Sequence, residues 1–370
     1  MRDQQPEDHG KRLIGLDYLR GFVIVLVVLH HAVLAYCRFG HFDTRHYLWS
    51  TAPIVDPQRW LGFDILVLFN DSYFMPLMFL LSGLFVAPSL RRKGRTAYLL
   101  DRVRRLGLPF VVVVLTIMPL AYYPSYRMTG SQIGFGAFWI QTVFDGPWSA
   151  GPAWFVAVLL GFDVLAVAFQ PLLRHHGVSF MGLAALSLIT YLPLLIGFGP
   201  SRWFAWGPFA IQASRVLLYA AYFFAGIAMG PAVRTTGRRP VIVAAALFAL
   251  LLAVQICRLR FPGLVPNIAW LVLYCVTFAL FCAAATRALL ALFGGFKRRF
   301  AFWDSLSANA YGIYLLHYPF VVWGQYALLD ADIGAIPKAA GVFTGALGLS
   351  WCGAAALRWA SRSIVGFRRR

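Results

Sequence analysis

In the stretch LDYLRGFVIVLVVLHHAVLAY, Arg20 and His31 stand eleven positions apart, and the nine residues between Arg20 and His30 carry no polar side chain. A guanidinium binds phosphate and carboxylate through planar, charge-assisted forks. An imidazole takes up and returns a proton near neutral pH. On an α-helix, eleven residues advance about 16 Å and return to within about 20° of the starting azimuth. Arg20 and His31 therefore share a face, Asp17 lies near it, and His30 points about 80° away from Arg20. Ionisable groups in so apolar a run are costly, and they face a protein interior when they persist. Each also has a structural alternative. Arg20 can snorkel or pair with Asp17 one turn earlier, and His31 can hydrogen-bond between helices. The shared face favours chemistry, with an anion held at one end of a helix and a proton acceptor at the other.

Further polar groups sit in apolar surroundings. DRVRRLGLPF places Arg102 and Arg105 at i, i+3 where a helix begins, beside Arg91, Arg92, Lys93 and Arg95. Fixing topology and binding lipid headgroups is the structural alternative for this basic group. Arg215, in IQASRVLLYAAYFFAGIAMG, needs a partner within its run, and Asp163 of LLGFDVLAV is a candidate. Tyr311, Tyr314 and His317 recur along one side of a helix, where they serve packing as well as chemistry. Trp154 opens a helix, a usual place for an interfacial anchor. The five cysteines are scattered without a C-x-x-C pair or metal-ligand spacing, so neither a disulfide framework nor a metal site is expected.

The elements that must position these groups are membrane spans. The chain is 60% hydrophobic and only 13% charged, whereas a soluble domain is about a quarter charged. Runs of roughly 20 apolar residues recur throughout, each long enough to cross a bilayer core. The short alternating strands of a transmembrane barrel are not the pattern. The expected fold is all-α and polytopic, a single membrane-embedded domain over residues 1–370 without an appended soluble domain. Ten transmembrane helices are expected: Leu13–Cys37, Ile65–Ala87, Leu106–Tyr123, Gly151–Phe169, Val178–Ile196, Phe209–Met229, Pro240–Cys257, Ile268–Leu290, Leu306–Tyr326 and Ala339–Ala360. The first is too long for the apolar core of a signal peptide and is read as a retained helix.

Net charge is +19, but the basic residues lie in short loops between spans and form no separate basic region, which argues for membrane lipids or an anionic co-substrate and against nucleic acid. With this topology, 24 Lys and Arg fall on one side and 8 on the other. That bias places both termini in the cytoplasm, with Arg20 at the cytoplasmic end of the first helix and His31 near its far end.

LDYLRGFVIVLVVLHH resembles the first helix of the acyltransferase-3 family of membrane O-acyltransferases, in which an Arg or Lys is followed by ten residues and then a His. Arg20 and His31 match; His30 does not. FMPLMFLLSGLFV resembles the family's second-helix segment ending in Ser-Gly, DRVRRLGLPF its Arg-x-x-Arg, GPAWFV its Trp-containing helix start, and SANAYGIYLLHYPF its Tyr-x-x-Tyr-x-x-His helix. The five motifs occur in order between Leu13 and Phe320. The resemblance implies transfer of an acyl group, acetyl or succinyl, from cytoplasmic acyl-CoA to a hydroxyl of a carbohydrate acceptor across the membrane. It makes His31 the general base, and it makes Arg20, Arg102 and Arg105 the ligands of the coenzyme A phosphates. Asp17, Trp154, Arg215, Tyr311, Tyr314 and His317 become support for the site or the substrate. Acetyl-CoA or succinyl-CoA is then the co-substrate, with no metal, and the expected location is the cytoplasmic (inner) membrane of a bacterium. The aromatic loop RFGHFDTRHYLWSTAPIVDPQRWLG offers Trp49 and Trp60 for stacking on a sugar. The alternatives are a secondary transporter exporting a glycan or lipid, against which no matched broken-helix halves are visible, and a non-catalytic assembly factor.

Overall fold

The computed structural model describes residues 5–169, 176–231 and 237–367. Arg2, Arg174, Arg234 and the arginines at 368–370, which enter the charge count, lie outside the described residues.

The protein is an all-α polytopic membrane protein with one small hairpin. α1 (Gln5–Leu34) leads into a long loop over residues 35–60. α2 (Leu61–Asp71), α3 (Phe74–Gly83) and α4 (Val86–Lys93) form one bent stretch. Its first break follows Asp71 and the helix resumes at Phe74; the Ser72 hydroxyl donates to the Leu68 carbonyl at 2.6 Å, and Pro76 has no N–H to give to the Ser72 carbonyl four residues earlier. α5 (Arg95–Arg102), α6 (Leu108–Val112) and α7 (Met118–Arg127) form a second long stretch, joined by π-helical turns at Val103–Gly107 and Val113–Ile117.

Prolines explain these irregularities. Pro109, Pro119 and Pro124 have no N–H to give, so the carbonyls of Arg105, Leu115 and Leu120, each four residues earlier, lose their helical donors. An aromatic side chain supplies each one instead. The Tyr311 hydroxyl donates to Arg105 O at 2.8 Å, the Trp139 indole to Leu115 O at 2.9 Å, and the Trp323 indole to Leu120 O at 2.9 Å. In a bilayer a freed carbonyl must find such a partner.

The remaining elements are α8 (Phe135–Asp145), α9 (Trp154–Ala168), α10 (Phe180–Phe198), the antiparallel strands β1 (Trp203–Trp206) and β2 (Phe209–Gln212), α11 (Val216–Met229), α12 (Arg239–Arg260), α13 (Asn267–Gly294), α14 (Ala301–Ala327) and α15 (Ala335–Phe367). Among the described residues, eight helical stretches are long and apolar enough to cross a membrane. The expected span Phe209–Met229 differs from its sequence reading, because Phe209–Gln212 is a strand and the apolar helix there, Ala213–Met229, is shorter than those eight. The expected span Leu306–Tyr326 falls on α14, which buries Asn309, His317 and Gln325 among its apolar residues.

α1 packs between α13, α14, α15 and α3, and Leu19, Val23, Ile24 and Val28, spread over about half of its circumference, are all enclosed. At Gly21 a Cβ would come within 3.3 Å of the Ser307 backbone on α14, so glycine sets how closely these two helices approach. Gly83 on α3 and Gly226 on α11 do the same for that pair, since a Cβ on either would meet a carbonyl of the other helix. α12 lies at the periphery, burying Ala244 and Leu251 while Ile242, Leu250 and Ile256 point outward as lipid-facing residues do.

Candidate active site

α1 carries the two ends of the site. At its N-terminal end, the Arg20 guanidinium pairs with Asp17 at 3.2 Å and lies 4.3 Å above the Phe85 ring, with its side chain about two-fifths exposed. It stands close enough to Arg102 for their like charges to oppose one another. Arg102 is largely buried: its Nε is 3.3 Å from the Asp163 carboxylate, and its guanidinium covers the Tyr98 ring. The Tyr98 hydroxyl also donates to Asp163. Arg105 differs in kind. Its side chain is 69% exposed and pairs with Asp101 at 2.8 Å, which also receives Lys93. The spacing of Arg102 and Arg105 suggested a matched pair, but the π-helical turn that begins at Val103 separates them. Arg102 is turned inward to a carboxylate, and Arg105 outward.

At the other end, His31 meets three aromatic residues. Its ring centroid lies 5.4 Å from that of His317, 5.2 Å from Tyr318 in an edge-on contact, and 5.5 Å from His30. His317 is fully buried on α14, with Nδ1 2.7 Å from the Tyr314 carbonyl. A carbonyl oxygen only accepts, so Nδ1 carries the proton and Nε2 the lone pair. That Nε2 is buried and has no hydrogen-bond partner among the described residues. The backbone of His31 is pinned as well. The Gln325 amide donates to His31 O at 2.9 Å and to Ala32 O at 3.1 Å, serving carbonyls that the end of α1 leaves open. His30 turns to another neighbour, its ring 5.1 Å from Phe74 on α3.

The other expected site residues are dispersed. Tyr311 is tied to Arg105 O, and the Tyr314 hydroxyl donates to Pro152 O, so both join α14 to neighbouring segments. Trp154 packs against Phe79, Tyr219 and Trp203 in an aromatic cluster among α3, α11 and β1. Arg215 does not pair with Asp163. It is buried and pairs with Asp71 at 2.6 Å, donating also to the Asp71 carbonyl. The break after α2 brings Asp71 to the N-terminal end of α11, whereas Asp163 lies well along α9 and is taken by Arg102.

The family model described as an acyltransferase domain, of the acyltransferase-3 type, matches residues 13–355. The chain belongs to the acyltransferase-3 family. No curated protein and no solved structure matches it. The match takes in α1 through most of α15, and membership makes the protein a membrane acyltransferase.

Sequence reasoning missed three residues that shape the His31 end of this acyltransferase. Gln325 was legible only as a polar residue late in an apolar helix. Tyr318 adjoins His317 in sequence, and Tyr122 reaches Tyr318 hydroxyl to hydroxyl at 3.5 Å. Tyr318 continues the i, i+3, i+7 face of Tyr311 and Tyr314, whereas Tyr122 carries no spacing signal that marks it out.

Proposed function

We propose that the protein transfers an acyl group, acetyl or succinyl, from cytoplasmic acyl-CoA to a carbohydrate hydroxyl on the opposite side of the membrane. The observation that carries this reading is the division of α1, with cationic side chains gathered at the Arg20 end and two imidazoles meeting at the His31 end. Arg20 and the exposed Arg105 are the residues suited to the coenzyme A phosphates, because guanidinium forks match phosphate oxygens. Arg102, already committed to Asp163, supports them by charge. The rise of about 16 Å from Arg20 to His31 is comparable with an extended pantetheine arm.

His31 removes the proton from the acceptor hydroxyl as its oxygen attacks the thioester carbonyl. The C–O bond forms, the C–S bond breaks, and the proton ends on the departing thiolate, so no net proton is released. The imidazolium formed at His31 is stabilised by the lone pair on His317 Nε2, which acts as a positioning and charge-sharing partner. Ten crossings with both termini in the cytoplasm complete the reading, supported by the basic bias of 24 to 8, and the membrane is the bacterial inner membrane.

Two measurements test this. Mass spectrometry of envelope glycans, with and without the protein, should show an added acyl mass that requires it; identical glycans would contradict the assignment. A cysteine placed beside Pro57 should react with an impermeant reagent in intact cells, while a tag on either terminus stays protected. The reverse pattern would put His31 on the donor side.

A further inference from the structure

The chain between α10 and α11 turns back into the membrane. α10 starts at its Ser179 N-cap, and its 19 residues rise about 28 Å, so Phe198 lies at the opposite surface. The strands β1 and β2 then fold back against the bundle. Phe209 stacks on Phe110 of α6, with ring centroids 5.6 Å apart. Phe110 is only about 12 Å along its helix from Arg102, which stands beside Arg20 at one membrane surface. Trp203 meets Trp154 edge-on at 5.9 Å, and Trp154 is about 14 Å along α9 from Asp163, the partner of Arg102. A hydrocarbon core is about 30 Å thick. Both contacts therefore put the hairpin near the depth of its middle.

A two-stranded ribbon at that depth has a free edge to account for. The register runs from Trp203 with Gln212 to Trp206 with Phe209, and the Ala213 N–H donates to Arg202 O at 2.8 Å. Bonded pairs alternate along an antiparallel ladder. Arg202, Phe204 and Trp206 therefore turn their backbone groups toward β2, and Trp203 and Ala205 turn theirs outward. No hydrogen bond reaches these outward groups among the described residues. β2 packs on α9, whereas β1 is exposed at all four positions. Hydrocarbon supplies neither donors nor acceptors, and an open sheet edge does not persist in it. The side chains around the edge do not suit an aqueous cavity either, since Trp203, Phe204, Trp206 and Phe209 are all exposed aromatics. What covers the edge must bring a strand's backbone groups and an apolar, aromatic-compatible surface together.

We propose that β1 is a homodimer interface, pairing antiparallel with the same strand of a second copy across a two-fold axis at Phe204. The edge is self-complementary under that symmetry. Trp203 of each copy faces Ala205 of the other, and the four outward N–H groups and four outward carbonyls exchange four hydrogen bonds. The two Phe204 side chains meet on the axis, where aromatic cross-strand pairs add to the pairing. An aromatic side chain buries about 150–250 Å². At their exposed fractions, 39–81%, the four aromatics offer roughly 400 Å² per copy before any backbone is counted, so two copies approach the ~1,000 Å² at which specific interfaces begin.

The test uses the full-length protein in liposomes at a series of protein-to-lipid ratios, with single-molecule photobleaching to count copies. The parent should be a dimer. In a background with Cys257→Ser and Cys352→Ser, Phe204→Cys should form an intermolecular disulfide on mild oxidation, because a non-hydrogen-bonded pair brings its Cα atoms to about 4.5 Å. Trp206→Cys, although more exposed, should not, since its counterpart lies about 13 Å away along the paired strands. Ala205→Pro removes an outward N–H from each copy and spares the β1–β2 ladder. It should raise the dimer dissociation constant about tenfold or more, the worth of two hydrogen bonds. A parent that is monomeric at every ratio, equal cross-linking of the two cysteine variants, or a folded Ala205→Pro variant that dimerises as the parent does would overturn the proposal. Thermal unfolding shows whether Ala205→Pro keeps its fold, and if it does not, the two cysteine variants decide the matter.

Discussion

The imidazole rings of His31 on α1 and His317 on α14 lie 5.4 Å apart, centroid to centroid, tilted by 36°. Because His317 Nδ1 is committed to the Tyr314 carbonyl, the lone pair on Nε2 is what His317 has free for a neighbour. A positioning role follows. His317→Phe keeps the ring volume and loses the lone pair, so kcat should fall by roughly 10²-fold or more, as when the orienting partner of a catalytic histidine is lost. His317→Gln restores an acceptor and should recover part of that loss, with acyl-CoA affinity unchanged in both. Equal activity of the Phe and Gln variants would assign His317 to packing alone.

Arg102 and Arg105 should respond differently to truncation. Arg102→Ala leaves the Asp163 carboxylate buried without its ion-pair partner, and breaking such a pair costs about 3–5 kcal/mol, read as a fall in Tm. Arg102→Leu combined with Asp163→Leu should recover most of that stability. Arg105→Ala, at an exposed position, should leave Tm near the parent value and weaken acyl-CoA binding, which Arg91→Ala should not do. Matching effects of Arg105→Ala and Arg91→Ala on binding would favour a general basic surface.

The three aromatic donors that serve proline-freed carbonyls make a separate prediction. Trp139→Phe and Trp323→Phe should each cost about 1 kcal/mol of stability, the net worth of a hydrogen bond. Tyr311→Phe should cost about the same and also raise the half-saturating acyl-CoA concentration, because its bond holds the backbone of Arg105. A Tyr311→Phe variant with unchanged acyl-CoA saturation would limit Tyr311 to helix packing.

Much of this arrangement was legible in the chain, and the reasons for the remainder are physical. The helical period alone put Arg20 and His31 on one face and His30 on another, because α1 is regular across all three. The partner of Arg215 was not legible. Asp71 reaches it through the helix break between α2 and α3, a local departure that periodicity does not register. The divergence of Arg102 and Arg105 was hidden for a similar reason. Pro109 announces a missing hydrogen bond, but not the π-helical turn that precedes it, nor that the freed carbonyl is met by Tyr311, two hundred positions away in the chain. The hairpin before α11 reads as apolar residues continuous with the helix it precedes.

Lys338 and Asp56 form a fully buried ion pair, 2.8 Å apart, that ties the loop over residues 35–60 to α15. Lys338→Met alone should lower stability by about 3–5 kcal/mol, leaving a buried carboxylate unpaired. Lys338→Met with Asp56→Asn should recover much of it, because Asn keeps the oxygen that accepts from the Gln58 backbone. Thermal unfolding of the parent, single and double variants in one detergent provides the comparison. A double variant no more stable than the single would remove the pair from the list of loop anchors.

The most direct test of the mechanism is the turnover of His31→Ala beside that of His30→Ala, with acyl-CoA affinity measured on both. His31 faces His317 and Tyr318, while His30 packs on Phe74. His31→Ala should lose about 10²–10⁴-fold in kcat and bind acyl-CoA as the parent does, because a general base acts on the acceptor proton and not on the phosphates. His30→Ala should retain most of its activity. A His31→Ala variant as active as the parent would contradict the proposed mechanism outright.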